Sequence, residues 1–329
     1  MTTRRTLLAA TLGATAAGLV RPAIAQGTGN WPDRPLRIVV GYPPGGSLDV
    51  LTRVLAEQLS NRLGQPVVVE NRPGAGGNIG ADVVAKAAPD GYTIACAAVG
   101  IWAINQYLYR NMPFNAEKDL QPLTMTWEFP NVAVVPTQHV PAKTLQEFIA
   151  WAKQRREGVS YGSPGVGTTP HLSAALFVER TGINGVHVPF RGAAQTIPAM
   201  LAGDVQFAVD NLASYVPVIK EGRMRALAVT SAERFPTLPD VPTMQEAGIK
   251  DFNVTSWTNF AVPAGTPRPI VDRLSKEIRA VTADPAVQQR ALGMGAKLLG
   301  TTPEETMAFI RSEMPKWKEM VRISGAQMD

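Results

Sequence analysis

The sequence predicts an α/β protein whose two βα-wound halves are joined by two long strands. Three features carry this. Short β-branched runs alternate with segments whose apolar residues recur at helical spacing. Glycine- and proline-rich turns stand where the runs end. Two longer apolar stretches, residues 123–135 and 253–262, break the alternation. At 329 residues, with 45% hydrophobic and 18% charged side chains, the chain has the composition of an ordinary globular protein and the length of about two domains.

Residues 1–25 stand apart. Arg4 and Arg5 precede an apolar, small-residue run, and Ala23-Ile24-Ala25 has the form of a cleavage site. The segment reads as an export signal ending near Gln26, by the general or the twin-arginine route. It is too short and too alanine-rich for a membrane span. Removing Arg4, Arg5 and Arg21 from the 32 basic residues leaves 29 against 27 acidic ones, a charge near +2 that gives no reason to expect nucleic acid or a membrane surface as partner. Cys96 is the only cysteine, which excludes an internal disulfide; in its apolar run it reads as a buried, inert thiol.

The run Leu36–Val40, bounded by Pro35 and Gly41, predicts a strand. Leu51, Leu55, Leu59 and Leu63 then recur at helical spacing up to Gly64, so the intervening Gly41-Tyr42-Pro43-Pro44-Gly45-Gly46-Ser47-Leu48-Asp49 joins a strand to a helix N-terminus. With so few side chains in that loop, free backbone N–H groups and the positive end of the helix dipole can face an anion. A strand over 67–70, a glycine-rich loop over 71–77, a helix over 79–88 and a strand over 92–99 continue the pattern, which favours a parallel sheet.

Residues 123–135 predict a strand leaving the first half, and 144–156 an amphipathic helix. The second alternation has a strand over 159–163, a loop over 164–170 with Thr169 as N-cap and Pro170 at the first helical position, and a strand over 186–190 ending at Arg191-Gly192-Ala193. Pro198 fits the following helix only in its first turn. Strands over 205–209, ending at Asp210-Asn211, and 226–230 come next; the proline-rich segment 231–250 reads as connection. Residues 253–262 predict the return strand, and helices over 270–281, 286–292 and 304–323 close the chain. The domains are therefore 26–127 with 254–329, and an inserted 128–253.

Four βα turns lie at the carboxyl ends of predicted strands, two in each half, the edge at which open α/β sheets bind ligands. Dinucleotide binding does not fit: Gly165-Val166-Gly167-Thr168-Thr169-Pro170 has proline at the third glycine position, and no Walker lysine exists. Hydrolase signatures also fail, because Tyr161 stands where GxSxG around Ser163 needs glycine, and no nucleophile with an adjacent base is apparent. His139, His171 and His187 lack metal-ligand spacing. His187 reads as a packed strand residue. His171 either lines a cleft or caps and packs its helix. Asp49 complements the dipole of its helix or binds a ligand ammonium or hydroxyl; Arg191 is a bidentate carboxylate partner or a surface charge. Tyr42, Trp102 and Trp257 are core aromatics or walls of an aromatic-acid pocket.

Read together, "PPGGSLD", "LGQPVVVENRPGAGGNIGADVVAKAAPDGYT", "SPGVGTTPHL", "HVPFRGAAQ", "RALAVTSAERFPTLPDVPTMQEAG" and "PAGTP", in this order behind an export signal, resemble the receptors of tripartite tricarboxylate transporters, the Bug family. The resemblance implies a type II periplasmic-binding-protein fold, two lobes on a two-strand hinge. It implies a monomer in the periplasm, without cofactor, that closes on a small organic carboxylate: a dicarboxylate, an acidic amino acid or an aromatic acid. It also implies delivery to the membrane subunits of such a transporter; a sensory receptor and an exported α/β hydrolase are the alternatives. Carried onto this chain, the binding residues are Tyr42, Pro44, Gly45, Gly46, Ser47 and Asp49 in the first half. In the second they are Ser163, Gly165, Gly167, Thr168, Thr169 and His171, with Arg191, Gly192, Ala193 and Asp210 nearby. The family commonly has Tyr and Gly where this chain has Phe190 and Asn259.

Overall fold

The computed structural model describes residues 30–329, and the fold below is that of residues 32–329. The export signal assigned to residues 1–25 lies outside the described residues.

Strand β1 (Leu36–Val40) is almost wholly buried, which is why it reads as an unbroken apolar run: both its faces are covered and both its edges are paired. It lies parallel to β2 (Val67–Asn71) on one side and to β3 (Thr93–Ala98) on the other. Helices α1 (Ser47–Leu63) and α2 (Asn78–Ala85) make the crossovers, and α1 stops where Gly64 turns left-handed at φ 67°. After β3 a π-helical turn, Gly100–Ile104, runs into the short α3 (Asn105–Leu108), which the sequence pattern does not announce. The short α4 (Ala116–Asp119) then leads into β4 (Leu120–Pro136).

The second half repeats the scheme. Helix α5 (Leu145–Lys153), capped by Thr144, leads to β5 (Val159–Ser163), which is parallel to β6 (Gly185–Pro189) and β7 (Phe207–Asn211). Helices α6 (Thr169–Thr181), α7 (Ala193–Ala202) and α8 (Leu212–Lys220) follow these strands, and β8 (Met224–Val229) closes the half. Residues 231–250 contain no helix or strand, as expected. Strand β9 (Thr255–Pro263) returns, followed by α9 (Arg268–Thr282), α10 (Pro285–Gly293), the two-residue β10 (Lys297–Leu298) and α11 (Pro303–Ser324).

Four expectations are corrected. The N-cap of α6 is Thr168, not Thr169. Strand β7 runs through Asp210 and Asn211 instead of stopping before them, and α8 follows at once where no helix was read. Pro198 sits in the middle of α7, where it removes one helical hydrogen bond; burial of Thr196 and Met200 on the same helix anchors it in spite of that loss.

The strand order is β2-β1-β3-β9-β4-β7-β5-β6. The two long segments do lie side by side: β4 pairs antiparallel with β9 from Leu120↔Pro263 to Pro130↔Thr255. At Asn131 the partner changes, and residues 131–136 of β4 pair instead with β7 and β8. One strand thus belongs to both halves of the sheet.

Glycine sets how closely the first two loops pack. A Cβ on Gly41 would stand 2.7 Å from the Cα and carbonyl oxygen of Gly77, and one on Gly80 2.8 Å from the Cα of Gly41. The glycine-rich loop after β2 therefore lies directly on the end of β1. Gly41→Ala is expected to lower stability by about 1–3 kcal/mol through overpacking, read as a lower urea midpoint with unchanged slope.

Candidate functional site

A cavity of about 110 Å³ opens where the carboxyl ends of the parallel strands of both halves meet. The first half contributes residues 42–44 and 46–48 after β1, Gly76, 98–100 after β3, and Ile104 and Asn105. The second contributes 164 and 167–170 after β5, 191–194 after β6, and Asp210, Asn211 and Ser214. Phe129 of β4 and residues 256–258 of β9 complete the walls. Most of this lining is apolar, with Pro43, Pro44, Leu48, Val99, Ile104 and Phe129 among it.

Two helices aim bare N-termini at this space. The N-cap of α1 is Gly46 and that of α7 is Gly192, and neither has a side chain to cap the first turn. The first backbone bonds are Val50 N–H to Gly46 O and Gln195 N–H to Gly192 O. The N–H groups of Ser47, Leu48, Ala193 and Ala194 have no partner among the described residues and carry the positive end of each dipole. Helix α6 differs, because the Thr168 hydroxyl accepts from His171 N–H and Pro170 has no N–H to offer. Arg191 stands beside Gly192, exposed, with no ion pair among the described residues; its backbone N–H donates to Gln195 Oε1.

Of the sequence-predicted residues, Tyr42, Pro44, Gly46, Ser47, Gly167, Thr168, Thr169, Arg191, Gly192, Ala193 and Asp210 line the cavity. Gly45, Asp49, Ser163, Gly165 and His171 do not. Asp49 is buried, and its carboxylate accepts from Gly45 N–H at 2.9 Å, Asn71 Nδ2 at 3.0 Å and Arg53 Nε at 3.0 Å. Burial opposes its charge, but these donors outweigh that and hold the carboxyl below the usual range. Its work is to fasten the β1–α1 loop, since Asn71 also donates to Tyr42 O and Arg53 to Asn71 Oδ1.

The histidines form a second fastening. The rings of His171 and His187 stack with centroids 3.8 Å apart, with Tyr161 5.1 Å from His187 on a further stacked face. His171 Nδ1 accepts from Gly167 N–H, and His187 Nε2 lies 2.7 Å from Ser163 Oγ. Sequence spacing gives no sign of this Ser–His pair. It is not a reactive dyad: Ser163 is fully buried, its hydroxyl also bonds Gly165 at both N–H and carbonyl, and it stands off the cavity. The pair supports the β5–α6 loop.

A buried polar cluster forms the floor. Asn131 Nδ2 donates to Ser173 Oγ at 2.8 Å, and the Ser256 hydroxyl lies within reach of Asn131 Oδ1, Asn211 Oδ1 and Thr169 Oγ1. Asp210 beside it is 1% exposed. Burial pushes its carboxyl up to about 7, against the hydrogen bonds from Asn211 N–H and the Tyr215 hydroxyl. Phe129, Ser256 and Thr258 were missed by sequence reasoning, while Leu48 and Asn211 lie in segments it singled out without being named as binding residues. Ser256 and Thr258, at a period of two in an apolar strand, were the readable signal.

Tyr42 and Trp257 line the cavity, whereas Trp102 is buried in the core. The Tyr42 hydroxyl donates to Gly76 O, and burial raises its pKa. Phe190 and Asn259 are absent from the lining, so neither departure from the family pattern reaches the cavity wall. Cys96 is buried, and burial pushes its thiol up to about 12. No group of three metal-ligating side chains exists among the described residues.

The histidine pair predicts acid sensitivity. Burial lowers His171 to about 3, with the His187 charge as a further cause, and lowers His187 to about 4. Both folded values lie below the ordinary 6.5, so the neutral pair contributes stability above pH 6.5 that is lost as pH falls through 4 and 3. His171→Asn should be less stable at pH 7.5 but lose less between pH 6.5 and 4 than the parent, measured as urea midpoints across that range.

Comparison with known proteins places this architecture. The family model described as tripartite tricarboxylate transporter family receptor matches residues 51–325. The chain is similar to the solved structure of R. palustris Rpa4515 with adipate, at 34% identity over 91% of this chain and 100% of that one, TM-score 0.87. It is similar to periplasmic binding protein BugD at 34% identity over 91% and 100%, TM-score 0.84. It is also similar to MatC from Rhodopseudomonas palustris with bound malate, at 30% identity over 88% and 100%, TM-score 0.81. The fold is that of the periplasmic binding proteins, no described helix is long and apolar enough to cross a membrane, and the chain belongs to the tripartite tricarboxylate transporter receptor family.

Proposed function

We propose that this chain is an exported periplasmic receptor that binds a small organic carboxylate in the cavity. It delivers the ligand unchanged to the membrane subunits of a tripartite tricarboxylate-type transporter. The observation that carries the reading is the convergence of two uncapped helix N-termini, those of α1 and α7, and of Arg191, which has no ion pair among the described residues, on one mostly apolar cavity. Backbone donors and a guanidinium suit a carboxylate, while apolar walls suit the carbon body behind it. That two similar proteins were solved with adipate and malate supports the same ligand class.

Size narrows the choice. An apolar cavity of about 150 Å³ takes a benzene-sized molecule, so about 110 Å³ suits a small acid better than a nucleotide. The two halves, 26–127 with 254–329 and 128–253, act as lobes that close on the ligand by bending at the β4–β9 pair. The N–H groups of α1 and those of α7 then meet the anion from opposite sides. Residues 1–25 direct export and are removed.

A carboxylate that binds only the folded protein at a hundred times its dissociation constant adds about 2.7 kcal/mol. For a chain of this length that raises the melting midpoint by several degrees, at about 2–4 °C per kcal/mol. Adipate, malate and aromatic acids are expected to give such shifts and to be recovered intact, with phosphate and neutral amides as controls. Turnover of a hit would establish an enzyme instead. Arg191→Gln should weaken carboxylate binding by about 10–100-fold, the size of a lost charge-assisted hydrogen bond, at an unchanged ligand-free midpoint.

A further inference from the structure

Strand β7 ends on Asp210 and Asn211, and both line the cavity. Among the described residues no cation stands against Asp210. Its partners are Asn211 N–H, 2.6 Å from Oδ1, and the Tyr215 hydroxyl, 3.1 Å from Oδ2. The elements packed against β7 bring few charges. Helix α6 carries His171, Glu179 and Arg180, and β4 carries Glu128. Strand β5 carries Tyr161, and α8 carries Tyr215 and Lys220. Of these only Tyr215 bonds Asp210. On the cavity wall, among the described residues, the charged side chains are Asp210 and Arg191, and no ion pair joins them.

A carboxylate entering this space sets a second negative charge near a carboxyl that burial already pushes up to about 7. Like charges in one weakly solvated site disfavour joint ionisation, which raises the proton affinity of the less supported of the two. The ligand keeps its charge, because Arg191 and the helix N-termini favour it; Asp210 has only two neutral donors.

We propose that Asp210 makes ligand capture proton-coupled: the cavity takes up a carboxylate together with one proton, which comes from solvent and bonds to a carboxylate oxygen of Asp210. This rests on the carboxylate reading above. No bond to the ligand forms or breaks. In the complex Asp210 is a carboxylic acid, whose proton faces the ligand or points to Tyr215. In the second arrangement Tyr215 turns its own hydroxyl to Met200 Sδ, 3.7 Å away. A ligand that brings a cation beside β7 would pair with the ionised Asp210 and lose this coupling.

The test is calorimetry of adipate and malate binding to the purified protein at pH 5.5 and pH 8, each in buffers of different ionisation enthalpy. About one proton should be taken up per ligand at pH 8 and almost none at pH 5.5, with affinity falling tenfold per pH unit above the coupling pKa. Asp210→Asn should bind with no proton uptake and a flat pH profile. Tyr215→Phe, which removes a donor to the ionised form, should keep the uptake and move its threshold to higher pH. Binding at pH 8 without proton uptake overturns the inference and leaves the carboxylate reading standing. Unchanged uptake in Asp210→Asn overturns it as well. Failure of every carboxylate to bind removes both.

Discussion

Both halves of this protein hang on the antiparallel pairing of β4 with β9. These strands pair from Leu120↔Pro263 to Pro130↔Thr255, and at the next residue β4 passes into the other half. Asn131 marks the passage. Its backbone exchanges hydrogen bonds with Thr230, and its side chain reaches Ser173 of α6 and the Ser256 hydroxyl of β9. Asn131, with these partners, ties β4 to β9, to α6 and to the residue that follows β8, since leaving any of them unpaired in the interior costs about 1–3 kcal/mol. The cavity floor is built from the same groups. Anything that shifts the crossing strands therefore shifts the site.

Much of this was legible because local chemistry and global fold agree. The run Leu36–Val40 is buried except at Arg37 and reads as mostly apolar; Gly64, Gly182 and Gly203 each end a helix in the left-handed region, and each follows a helical period in the sequence. The illegible parts have physical reasons. The π-helical turn Gly100–Ile104 is buried throughout, so its apolar residues show no amphipathic period. Helix α8 contains Pro217 and follows β7 without a turn, which removes the usual start and stop signals. Pro198 shows the opposite failure, a sound local rule overridden by packing.

The candidate site divides in the same way. Loop positions were readable because glycine and proline announce them, and the loops after β1, β5 and β6 all border the cavity. Side-chain roles were not. Asp49 and His171 are titratable and lie in the right loops, yet both point into the scaffolding, one to Gly45, Asn71 and Arg53, the other to Gly167 and the His187 ring. Spacing along the chain cannot distinguish a residue that faces a cavity from one that fastens the loop carrying it. Distances between loops decide that, and Asn71, His187 and Ser256, from other segments, are the partners that do so.

Fastening consumes most of the charge near the site, and what is left over determines its chemistry. Asp49 is neutralised by Arg53, and burial keeps His171 and His187 uncharged. Arg191 and Asp210 remain on the lining, one exposed and one deeply buried. An exposed guanidinium keeps its charge and attracts anions at little desolvation cost, whereas a buried carboxyl yields its charge when an anion comes near. On the proposed carboxylate reading, the asymmetry in burial matters more than the presence of two opposite charges on an otherwise apolar lining.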